Sequence, residues 1–85
     1  MNVHDLTCAG WWTDRQQRHA VRPGARGGEF TVVDRHAGRR FTVTGGGTVT
    51  ACGTAGVPGR VADGSDLQRR ILNAVIGYRE ELGVL

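Results

Sequence analysis

Eighty-five residues, 39% of them apolar and 22% charged, have the composition of one globular domain rather than of a disordered chain. A formal charge of +3, with the acids interspersed among the cations, permits a polyanionic partner without demanding one. All 11 basic side chains are Arg, which points to GC-rich coding of the kind found in actinobacteria and their phages, and excludes lysine chemistry such as a P-loop or a Schiff base.

No apolar run approaches the ~18 residues of a membrane span, and Met1 to Asp5 carry no basic stretch leading into an apolar one. The expected location is therefore cytoplasmic. Cys8 and Cys52 are then expected to be reduced, buried and small.

In chain order, residues 1–28 admit two readings. One has a short helix over Val3 to Ala9, ended by Gly10 and followed by an extended segment. The other starts a helix at Thr13, with Thr13-Asp14-Arg15-Gln16 as a capping box, and ends it before Pro23. Arg22 to Gly28 is too poor in apolar side chains to pack and is expected to be a loop. Adjacent Trp11 and Trp12 diverge on either a helix or a strand, so one is expected in the core and the other partly exposed as a partner anchor.

Three β-runs follow. Glu29 to Asp34, Arg40 to Thr44 and Thr48 to Cys52 alternate at period two, placing Phe30, Val32, Phe41, Val43, Val49 and Ala51 on one face. Arg35 to Arg39 suits the first turn, with Gly38 at positive φ, and Gly45-Gly46-Gly47 the second. Gly53 to Gly64 reads as a Gly-rich connection with a type II turn at Val57-Pro58-Gly59, and with an extended piece at Arg60 to Ala62. Pro58 and six further residues stand between it and the next cap, which argues against a phosphate-cradling loop.

Asp66 to Leu82 is the clearest element. Ser65-Asp66-Leu67-Gln68 is a capping box. Leu67, Ile71, Ala74, Val75, Tyr78 and Leu82 form an apolar stripe, widened by Leu72 and Ile76, and Gly83 suits a left-handed end. The expected fold is one small α+β domain over 1–85: a three-stranded antiparallel β-meander packed by a C-terminal α-helix, preceded by a short N-terminal helix. Its segments are 1–28 helix and loop, 29–52 meander, 53–64 Gly-rich loop and 65–83 helix. The order helix, three strands, helix resembles that of double-stranded-RNA-binding domains and HicA-like toxins, although the Gly-Ser-His segment of the latter has no counterpart beyond Arg18-His19-Ala20.

The chemistry is bounded mainly by absences. Ser65, the one serine, is explained by its cap and lies outside any G-x-S-x-G elbow. His4 and Cys8 at i, i+4, with Cys52 and His19 or His36, lack the paired spacing of a zinc site, so no metal and no cofactor is expected. Arg15, Arg18, Arg22 and Arg26 recur every three or four residues and line one face if that stretch is helical, while Arg35, His36, Arg39 and Arg40 cluster at a hairpin tip. Arg forks suit phosphate. The chain is thus expected to be a non-enzymatic binding protein that contacts nucleic acid through these eight residues. Alternatives are a protein-interaction module anchored by Trp11, Trp12 and the apolar Val84-Leu85, or a small nuclease-like or metal-dependent enzyme. Chains this short bury only about 60–65% of their unfolded surface, so a partner or homo-oligomer is expected to support the domain.

Overall fold

In the computed structural model, residues 11–52 and 58–82 are described. They form a six-stranded, wholly antiparallel sheet in sequential order: β1 (Trp12–Thr13), β2 (His19–Pro23), β3 (Phe30–Asp34), β4 (Arg39–Val43), β5 (Val49–Cys52) and β6 (Pro58–Arg60). One helix, α1 (Asp66–Leu82), crosses a single face of the sheet and packs on β2, β3 and β5. The α+β class and the C-terminal cover are as expected from the sequence. The strand count is not: the sheet has six strands, not three. The described residues contain no N-terminal helix, and the helix expected over 3–9 lies outside them.

Register explains the core. Directly paired residues share a face, and Trp12, Val21, Val32, Phe41, Ala51 and Gly59 stand side by side across all six strands. With Val43, Val49 and Val61 they meet Ile71, Ala74, Val75 and Tyr78 of α1 in one buried cluster, onto which Trp12, Phe30, Leu67 and Leu72 pack from the margin. Tyr78 makes two T-shaped aromatic contacts, with Phe30 at 5.7 Å and Trp12 at 6.2 Å between ring centroids. Trp12 approaches the helix at Gly77, where a Cβ would come 3.2 Å from its ring. Ile76 and Leu82, placed on the apolar stripe by spacing, are instead half-exposed, because the sheet subtends only part of the helix circumference.

The segment expected to begin a helix at Thr13 is a hairpin. Asp14 is the physical reason: its carboxylate accepts from the backbone N–H of Arg18 at 2.8 Å and of His19 at 3.3 Å, while its carbonyl accepts from Gln17 N at 2.9 Å. These local bonds stabilise a turn in place of helical ones. Pro58-Gly59 likewise lies in strand β6 rather than in a turn, with Pro58 as its first residue, a position that tolerates the missing N–H. The two later turns match expectation, Gly38 and Gly47 having φ of 67° and 89°.

The helix start is capped as its sequence indicates. Ser65 Oγ accepts from Gln68 N at 3.1 Å, and Gln68 Oε1 reaches back to Gly64 N at 2.5 Å, one residue before the position a standard capping box engages. Gly83, expected to end the helix, is outside the described residues. No helix among the described residues is long and apolar enough to cross a membrane.

Candidate functional site

The sheet separates the predicted basic residues by face and by end. Arg15 lies in the β1–β2 turn and Arg26 in the β2–β3 loop, at opposite ends of β2, so the stretch Arg15 to Arg26 forms no single face. Helical spacing would have aligned them; an extended strand at about 3.3 Å per residue spreads them instead. At the β3–β4 hairpin, Arg39 shares a row with buried Asp34 on the helix side, its guanidinium 5.2 Å from the Phe41 ring centroid. Arg40, next in sequence, points to the other face.

Arg18 is drawn into a structural cluster. Asp34 is fully buried, and its Oδ2 meets Arg70 Nη2 at 2.9 Å and Arg18 Nη2 at 3.4 Å. Its Oδ1 accepts from His36 N at 3.0 Å and Ala37 N at 3.2 Å, which fixes the loop carrying Arg35 and His36. Burial alone would raise the Asp34 carboxyl, but the Ala37 N–H, the Arg18 guanidinium and the His36 N–H together hold it below the usual carboxylate range.

The face away from α1 has a different character. By register it carries two rows: Arg22, Thr31, Thr42, Thr50 and Arg60, then Thr13, Ala20, Val33 and Arg40, with Cys52 beyond. Arg22, Arg40 and Arg60 are exposed, and the threonines are partly buried. The only acid within the six strands, Asp34, lies on the opposite face. The Arg22 guanidinium sits 5.3 Å from the Trp11 ring centroid, and Arg60 pairs with Asp63 at 3.0 Å in an exposed contact. Arg22 and Arg60 are four strand spacings apart, about 19 Å. Arg60 is absent from the sequence-based candidates because the extended piece over Arg60 to Ala62 is not joined there to the sheet; alternation backward from Val61 is the signal that finds its face.

The two tryptophans divide as their adjacency implies. Trp12 serves the core margin and donates from Nε1 to Glu81 at 3.0 Å, while Trp11 lies on the far face under Arg22. Cys52, expected to be buried, is a free and exposed thiol, because its strand position points away from α1. His4 and Cys8 are outside the described residues, among which no cluster of His, Cys, Asp or Glu is arranged to hold a metal ion. His19 is buried, its Nδ1 2.8 Å from Asp14 Oδ2. Burial raises the Asp14 carboxyl, and the hydrogen bonds from the His19 ring and from the Arg18 and His19 backbone more than offset this, leaving it lowered. Comparison with known proteins finds no matching family model, no matching curated protein and no matching solved structure.

Proposed function

We propose that this chain is a nucleic-acid-binding accessory protein that lays the sheet face opposite α1 on the phosphate backbone. The observation that carries the reading is the charge of that face: Arg22, Arg40 and Arg60 project from it, and no strand residue on it is acidic. Thr31, Thr42 and Thr50 lie between the arginines, and their hydroxyls suit phosphate oxygens, as Arg forks do. A duplex presents one charge per about 1.7 Å, so a span of about 19 Å faces many phosphates. Trp11 at the margin offers a ring on which an unpaired base stacks. Arg35 and His36 flank the face at one end and Arg26 at the other.

The test is a fluorescence titration of labelled single- and double-stranded oligonucleotides at two salt concentrations. The expected result is binding at low salt that weakens steeply as salt rises. Absence of binding below about 100 μM at low salt, weaker than ordinary non-specific association, would remove the reading. It would favour a protein partner instead, for which Ile76 and Leu82, 50% and 53% exposed on α1, are the supporting observation.

A further inference from the structure

His19 is only 6% exposed, and its ring is satisfied on one side alone. Nδ1 stands 2.8 Å from Oδ2 of Asp14, a carboxyl held in its ionised form, so Nδ1 carries a proton and donates. Nε2 is buried and has no partner among the described residues. Native proteins rarely leave such a group unmet.

A cleft of about 400 Å³ opens between the β1–β2 turn and α1, with Trp12, Asp14, Arg15, His19, Arg70 and Asn73 in its walls. Both of its carboxylates are already engaged: Asp14 by His19 and two backbone N–H groups, Glu81 by the Trp12 indole. What remains is one acceptor, His19 Nε2, and the donor capacity of two arginines. Arg70 gives one Nη to Asp34 but keeps a buried Nε–H without an acceptor, and Arg15 is exposed and makes no ion pair among the described residues.

We propose that this cleft binds a small oxyanion, a phosphate or carboxylate group. Such a group accepts from Arg70 Nε–H and pairs with Arg15, and a phosphate hydroxyl donates to His19 Nε2, the ring nitrogen without a proton. A cationic or purely donating ligand would leave both arginine donors unmet. The Trp12 ring and Ala74, also in the walls, leave room for an apolar body attached to the anion. The cleft lies on the helix side of the sheet, so this site stands independently of the nucleic-acid face.

The full chain, labelled with ¹⁵N, is titrated with inorganic phosphate and separately with acetate at constant ionic strength, while the ring nitrogens of His19 and of exposed His36 are followed. The expected result is a saturable shift of His19 Nε2 that His36 does not share; the ion with the lower half-saturation identifies the preferred group. Arg15→Ala removes an exposed residue, is expected to fold normally, and should weaken binding about threefold to fivefold, the scale of an exposed ion pair. A His19 signal that moves only in proportion to concentration, or in step with His36, would overturn the proposal, as would unchanged binding in Arg15→Ala. Nε2 and Nε–H would then be satisfied by water alone.

Discussion

Asp34 Oδ2 and Arg70 Nη2 lie 2.9 Å apart across 36 positions of sequence, joining the end of β3 to the second turn of α1. The carboxylate is fully buried, and it also holds Arg18 and two loop N–H groups. Its loss leaves several donors without an acceptor. Asp34→Asn is expected to destabilise the fold by about 2–3 kcal/mol, at or below the lower end of the buried-pair range because both arginines reach solvent. Arg70→Ala, with a side chain 39% exposed, should cost about 1 kcal/mol. Chemical denaturation of the two variants checks the ranking, and equal effects would contradict it.

The same carboxylate makes the fold sensitive to acid. Asp34 and Asp14 both titrate lower in the folded chain than when unfolded. A depressed folded value means that the unfolded state binds protons first, so the stability they contribute is complete above the ordinary carboxylate pKa of about 4. It is lost as pH falls from there through the folded values. Thermal unfolding between pH 6 and pH 2 should show stability declining below about pH 4, with a shallower decline in Asp34→Asn. Parallel profiles for the two proteins would refute the assignment.

How much of this was legible beforehand follows from which residues make each element. Val32, Phe41, Val43 and Val49 alternate in β-branched and aromatic runs, and α1 has both an apolar stripe and a cap, so these elements can be read directly. Strand β2 cannot, because its helix-side residues are His19, Val21 and the exposed Pro23, only one of which is a strand former. Thr13 to Gln16 satisfies a helix-start pattern, yet the Asp14 carboxylate spends its hydrogen bonds on a turn. The candidate site depends on which face each Arg takes: without β1 and β2, Arg15 groups with Arg26; with β4 begun one residue late, Arg39 groups with Arg40 at the tip; and without β6 in the sheet, Arg60 is passed over.

Gln17 separates the hairpin from the helix by the sign of one substitution. It is the one non-glycine among the described residues with positive φ, at 56°. A side chain there costs roughly 1–2 kcal/mol, part of which glycine recovers against its larger unfolded entropy. Gln17→Gly should therefore stabilise by about 0.5 kcal/mol. Within a helix the same change would destabilise by about 1 kcal/mol. Urea midpoints decide between the two signs.

The two isoleucines of α1 test how far the sheet covers it. Ile71 is fully buried and Ile76 is 50% exposed. Ile71→Ala is expected to cost about 2–4 kcal/mol, through lost transfer energy and the cavity left behind. Ile76→Ala should stay within about 0.5 kcal/mol, as a surface change. A large loss at Ile76 would mean that its side chain is buried in solution, for instance against a second copy of the chain.

The nucleic-acid reading makes a demand that composition alone does not, because it assigns adjacent arginines to opposite faces. Arg40 stands with Arg22 on the face opposite α1, whereas Arg39 packs over Phe41 beside the core. Each phosphate neutralised on duplex DNA contributes about 0.9 to the slope of log affinity against log salt. Arg22→Ala and Arg40→Ala should each lower the slope by about that amount and weaken binding alike across sequences. Arg39→Ala, with the same formal charge change, should leave the slope within error. Arg60→Ala should resemble Arg40→Ala, since its exposed pair with Asp63 is too weak to withhold it from a phosphate. If Arg39→Ala and Arg40→Ala lower the slope equally, binding follows net charge rather than a face, and the sheet surface is not the interface.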